Sequence, residues 1–185
     1  RVRVGTNEAV AWVKAVVDEH EPDRVFVDAG GLGASILSAV RDLGQPYSRL
    51  VQGVHFGGRS QSRMANPKRP GPVDRRAEMY QRMKRWLMQD DIQPSIPDDE
   101  ALQHDLCVVR WKATSSTDLR LESKQEMRKR GDHSPDLADA LALTFASLAS
   151  IREYVDRTDR EKPQAGHNKS ASPLVEANDP HSWMI

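Results

Sequence analysis

The sequence predicts an α/β domain, and three observations carry that expectation. Residues 24–28 (Arg24-Val25-Phe26-Val27-Asp28) and 50–56 are short apolar runs of strand length, and residues 34–43 between them repeat apolar side chains at helical spacing. Strand, helix and strand at this separation form a βαβ unit, which implies parallel pairing through a right-handed crossover. The remaining segments alternate helical stripes with short strand-like runs.

Residues 6–20 read as an amphipathic helix with Val10, Val13 and Val17 on one face, capped by Thr6 or Asn7 and ended by Pro22. Residues 29–33 (Ala29-Gly30-Gly31-Leu32-Gly33) form a tight turn. The helix that follows places Ile36, Leu37, Val40 and Leu43 together and stops at Gly44. The Gly-, Pro- and Arg/Lys-rich stretch 57–73 reads as a long exposed loop. Residues 75–89 return to helix, with Met79, Met83, Trp86 and Leu87 as a core-facing stripe. A short helix is expected over 98–104, with strands over 106–111 and 119–121. Ser123 and Glu126 form a capping box for another helix, with Gly131 past its end. Ser134 and Pro135 read as the cap and first residue of a last helix reaching about 154. Residues 1–155 make one domain, and the polar, Pro-containing residues 156–185 read as a flexible tail.

Composition excludes some functions and leaves others open. The 185 residues suffice for one domain with a core. No apolar run approaches the ~20 residues needed to span a bilayer, and no basic-then-apolar leader opens the sequence. The single cysteine, Cys107, leaves no internal disulfide or multi-cysteine zinc site and fits a reduced compartment. Net charge is zero, but residues 59–85 hold nine Arg/Lys against two acids, a local patch suited either to phosphate or to solvent. A phosphate-loop pattern is absent, so ATP hydrolysis is not expected. The Gly31-x-Gly33 turn lacks the third glycine of a dinucleotide fold, since Ile36 stands there.

Two features can carry chemistry. Asp28 ends a strand, the edge where open α/β sheets bind ligands. It is read either as a metal ligand or as a cap of the following turn. Asp136 and Asp139 stand three apart on one helical face. The helix dipole accounts for an acid in the first turn. Asp139, however, begins an apolar run with no basic residue from 137 to 150, so it needs a partner, for which a metal ion is a candidate. Hard cations such as magnesium and manganese take carboxylate ligands, and acid clusters holding two of them cleave phosphodiesters. His133 beside these acids is read as exposed.

The segments Val27-Asp28-Ala29-Gly30-Gly31-Leu32-Gly33, Val54-x-Phe56-Gly57, Arg76-Ala77-Glu78-Met79-Tyr80, Leu121-Glu122-Ser123-Lys124 and Ser134-Pro135-Asp136-x-Ala138-Asp139-Ala140-Leu141 follow one another in an order that resembles the C-terminal nuclease domain of phage terminase large subunits. The resemblance covers residues 5–150. It implies an RNase H-like mixed sheet flanked by helices, related to Holliday-junction resolvases. It also implies a metal-dependent endonuclease that cuts concatemeric double-stranded viral DNA during packaging, using two Mg2+ or Mn2+ ions. Asp28 matches the strand acid, Asp139 the helix acid and Asp136 an assisting carboxylate. Arg75, Arg76, Lys124, Lys129 and Arg130 are the candidate DNA contacts. Implied partners are the portal protein and the small terminase subunit, in the host cytoplasm. The family's first-strand acid has no counterpart here, so the sequence is expected to lack the opening strands of the sheet. A resolvase-like nuclease acting on branched DNA and an inert DNA- or portal-binding module are the alternatives.

Overall fold

The computed structural model describes residues 5–147, apart from 69, 92 and 114–116. The βαβ unit forms as expected. Helix α1 (Thr6–His20) leads into strand β1 (Val25–Asp28), helix α2 (Leu32–Asp42), a one-turn helix α3 (Tyr47–Leu50) and strand β2 (Val51–Val54). β1 and β2 pair in parallel, with Val25 opposite Val51 and Asp28 opposite Val54. The ladder runs one step past Asp28, because Ala29 N donates to Val54 O at 2.9 Å. Leu37, Val40, Val51 and Ala29 bury one core between α2 and these strands.

The glycine turn holds the end of β1 in place. A Cβ on Gly33 would lie 1.7 Å from the backbone oxygen of Asp28, so only glycine lets α2 start this close to the strand. Gly33→Ala is therefore expected to destabilise the domain by about 1–3 kcal/mol, the range for overpacking, as measured by urea unfolding.

The stretch expected as a loop over 57–73 contains a short helix α4 (Gln61–Ala65) and a two-residue strand β3 (Gly71–Pro72). Ser60 caps α4 by accepting from Arg63 N at 3.1 Å. The next two free N–H groups, of Gln61 and Ser62, donate to the carboxylate of Glu78 at 2.9 and 3.0 Å. A residue distant in sequence thus completes this helix, which local composition did not signal.

Helix α5 (Arg75–Leu87) buries Met79 and Met83 as its stripe predicted. Helix α6 (Glu100–Val108) extends further than expected and overturns the predicted strand at 106–111. Asp99 caps it at Leu102 N, and the apolar Leu106 continues a helical face packed on the core. An apolar run this short does not distinguish strand from buried helix. The strand begins only at Trp111. β4 (Trp111–Ala113) pairs antiparallel with β5 (Asp118–Leu121), which pairs parallel with β3. Among the described residues the mixed sheet thus stands as a two-stranded and a three-stranded piece.

Helix α7 (Lys124–Lys129) carries the expected reciprocal capping box of Ser123 and Glu126. The last described helix, α8 (Asp136–Leu143), starts one residue later than predicted, with Pro135 in the capping position. Its first-turn donor Leu137 N is satisfied by Asp105 Oδ2 from α6 at 2.9 Å, while the Ser134 hydroxyl goes to Asp136. Ala138, Ala142 and Ala146 place small side chains at i, i+4 and i+8, and α8 packs against Met79, Tyr80 and Met83 of α5. Carbonyls at its end accept from Arg75 (Ala146 O) and Arg82 (Phe145 O). The helix ends at Leu143, short of the expected 154, because the chain tightens into i→i+3 turns in which Thr144, Phe145 and Ala146 N donate to Leu141, Ala142 and Leu143 O; residues 148–154 and the tail 156–185 lie outside the described residues. No described helix is long and apolar enough to cross a membrane.

Candidate nuclease site

Asp28 stands at the C-terminal end of β1, where the parallel ladder delivers it to one wall of an open groove of about 910 Å³. Its Oδ1 accepts from Gly30 N at 3.0 Å. Of the two sequence readings of Asp28, metal ligand or turn cap, the capping bond is present. The opposite wall comes from β4, β5 and the start of α7 and includes Lys112, Arg120, Glu122 and Lys124, and Arg76 of α5 also lines the groove.

Asp139 is buried on the first turns of α8, its side chain 7% exposed. Its partners come from other helices. Arg76 Nε and Tyr80 OH both donate to Oδ1 at 2.9 Å. Lys124 Nζ lies 2.8 Å from Oδ2, an ion pair outside hydrogen-bonding geometry, so Oδ2 is buried with no hydrogen-bond donor. Burial and the adjacent Asp139 carboxylate push the Tyr80 hydroxyl well above its ordinary pKa, and it stays a proton donor. Arg76 also donates to Glu122 O at 3.0 Å and lies over the Tyr80 ring. It thereby joins α5, α8 and the end of β5.

Asp28 and the two cations that bracket Asp139, Arg76 and Lys124, line the same groove. Asp136 is more peripheral, with 56% of its side chain exposed; it accepts from Ser134 Oγ at 2.6 Å and lies 4.0 Å from Lys124. Asp28, Asp136 and Asp139 do not form a tight three-ligand cluster among the described residues. The donor set nevertheless suits a hard cation. Asp139 Oδ2 is buried, and the Lys124 ammonium at 2.8 Å already holds positive charge where a cation would sit.

The basic residues divide into two groups. Arg75 pairs with Glu78 at 2.8 Å and Arg130 grips Glu122 through Nε at 3.0 Å, so both guanidiniums hold the fold together. Arg63, Arg75, Arg76 and Arg82 of the basic stretch 59–85 are ion-paired to carboxylates. Lys124 and Arg76 face the groove, and Lys129 is exposed on α7. Sequence reading missed Glu122, Lys112 and Arg120. Glu122 had a usable signal: it is an acid just past the end of a strand and just before a helix with a capping box. Arg130 holds its carboxyl below the ordinary range, outweighing burial, with help from Arg110 N. Lys112 and Arg120 gave no signal, because antiparallel pairing of β4 with β5 is what aligns them.

The fold is similar to that of solved nuclease domains from a phage large terminase subunit. In particular, it is similar to the nuclease domain of the large terminase subunit of bacteriophage Sf6. A lysine-to-alanine mutant of that domain with calcium matches with a TM-score of 0.59 and 20% identity, over 75% of this chain and 71% of that one. The same mutant with manganese gives a TM-score of 0.59 and 20% identity over 75% and 72%. With manganese and beta-thujaplicinol the values are 0.60 and 19% over 76% and 71%. At these identities the likeness is one of fold. No family model matches the sequence, and no curated protein matches it.

Proposed function

We propose that this chain is the nuclease domain of a phage large terminase subunit, cutting double-stranded concatemer DNA during genome packaging. The observation that carries the reading is the groove that joins Asp28 to the cations bracketing buried Asp139, within a fold shared with a terminase nuclease domain. In this reading Asp28 and Asp139 hold Mg2+ or Mn2+, with Asp136 assisting at the rim. Two such ions would supply Lewis-acid stabilisation and an activated water for phosphodiester hydrolysis. Water is the nucleophile, and no covalent enzyme intermediate forms. The manganese in the Sf6 neighbours supports this choice of ion.

The chain's own residues have separable tasks. Gly33 and the Asp28 turn set the strand acid. Arg76 and Tyr80 fix the rotamer of Asp139 through Oδ1 and leave Oδ2 toward Lys124. Lys124 neutralises that oxygen, and a metal ion held there would take over this charge. Arg120 and Lys112 on the far wall meet the DNA backbone, with Lys129 beside them on α7. Arg75 and Arg130 act on DNA only indirectly, by holding α5 and α7 in place. Arg120→Ala is expected to weaken binding to all DNA sequences alike. It should also lower the slope of log affinity against log salt by about 0.9, the loss of one phosphate contact.

The portal protein, the small terminase subunit and the host cytoplasm follow from the same reading. Its test is cleavage of supercoiled plasmid and of four-way junctions by the purified chain. Nicking and linearisation with Mg2+ or Mn2+, none in chelator, and no preference for junctions are the expected outcome. A strong junction preference would instead identify a resolvase-like enzyme, and no cutting with any metal would leave a binding module.

A further inference from the structure

A second set of ligand-bearing side chains lies where α6 meets the start of α8. His104 and Asp105 belong to α6, and His133 to the segment before α8. One donor atom from each lies within 4.8 Å of the other two. His133 Nε2 is 3.0 Å from Asp105 Oδ1, and His104 Nδ1 is 4.0 Å from the same oxygen. The two imidazoles stack with centroids 5.1 Å apart and planes 10° from parallel. The Asp105 side chain is 4% exposed, and Leu137 N donates to its Oδ2 at 2.9 Å. The carboxylate is therefore pinned through one oxygen, and its other oxygen meets both rings.

We infer that His104 Nδ1, Asp105 Oδ1 and His133 Nε2 form a site for a zinc-class divalent ion, with water in the fourth position. Two imidazole nitrogens and one carboxylate oxygen suit zinc and its transition-metal neighbours, whereas magnesium and calcium take oxygen sets. At tetrahedral zinc, with bonds of about 2.0–2.1 Å, donor atoms stand roughly 3.3 Å apart. The contact between His133 and Asp105 is already near that value, at 3.0 Å. The His104 ring, 54% exposed, closes the remaining gap by side-chain rotation. The backbone bond to Asp105 orients the ligand from outside the first coordination sphere, as carbonyl and carboxylate partners do for metal-bound imidazole. The ion would take the place of the hydrogen bond between His133 Nε2 and Asp105 Oδ1. It would clamp α6 to the first turn of α8, the helix that carries Asp139, and stabilise the folded chain by mass action. The site shares no residue with Asp28, Asp136 and Asp139 and stands independently of the nuclease reading.

Calorimetric titration of the full chain with Zn2+ in excess Mg2+ tests this. One Zn2+ is expected to bind at this site, and His104→Ala and His133→Ala should each weaken it by at least about tenfold. His55→Ala, on the groove, should leave it unchanged. His104→Ala removes an exposed ring whose described contacts are the stacking and the 4.0 Å approach to Asp105, so this variant is expected to fold as the parent does. No Zn2+ binding by the parent chain, or an isotherm identical in the parent and the His104→Ala/His133→Ala double variant, would overturn the site.

Discussion

Asp139→Asn is expected to lower metal-dependent DNA cleavage by at least about 10²–10³-fold, the scale of losing one preorganised electrostatic group. Asparagine keeps the shape and the acceptor oxygen that Arg76 and Tyr80 use at 2.9 Å. It removes the negative charge that would hold an ion at Oδ2. Stability should fall by about 1–3 kcal/mol, because Arg76 is then left less well compensated in a buried place. The companion variant Tyr80→Phe separates the two effects. It deletes one hydrogen bond to Oδ1 and leaves the charge, so cleavage should survive largely intact and Mn2+ affinity should change little. Cleavage assays with matched urea unfolding curves check both variants.

Glu78→Ala is expected to destabilise the domain by about 3–5 kcal/mol, the cost of stripping one partner from a buried ion pair. That is a large part of the ~5–15 kcal/mol that holds a domain of this kind folded. Glu78 is buried, pairs with Arg75 at 2.8 Å and Arg82 at 3.0 Å, and accepts the N–H groups of Gln61 and Ser62. Its loss leaves two guanidiniums without their carboxylate and the N–H groups of Gln61 and Ser62 without their acceptor. Burial alone would raise the Glu78 pKa, but the two N–H donors and the Arg82 and Arg75 charges outweigh it and hold the carboxyl below its usual value of 4.5. The sign of the pH dependence follows. A group with a depressed folded pKa contributes stability that is fully present above its unfolded value and lost as pH falls through its folded value. The parent chain should therefore lose this contribution progressively below about pH 4.5, and Glu78→Ala should show a flatter stability curve there.

What could be read in the sequence divides along the range of the interactions involved. The βαβ unit, the α5 stripe and the Ser123–Glu126 capping box were legible, because periodicity and local capping determine them. The helix at 61–65 was not, since Glu78 supplies its first-turn partners from 17 residues away. The extent of α6 was missed because Leu106, Cys107 and Val108 satisfy strand and helix patterns equally.

The site shows the same division. Asp28 was visible as an acid at a strand end. Asp139 was visible as an acid without a local partner, and that gap suggested a metal. The fold supplies Arg76 from 63 residues away, with Tyr80 and Lys124, so the charge is compensated before any ion binds. Pairing thus removes the electrostatic necessity for a metal at Asp139. The case for one now rests on the buried Oδ2, met by a single exchangeable ammonium, and on the shared groove.

The most direct test of the central claim is a crystal structure of this chain soaked with Mn2+, read by anomalous scattering. A manganese peak is expected in the groove, coordinated by carboxylate oxygens of both Asp28 and Asp139, with Lys124 moved off Oδ2. A soaked crystal in which Lys124 stays on Asp139 and no manganese contacts either aspartate would contradict it.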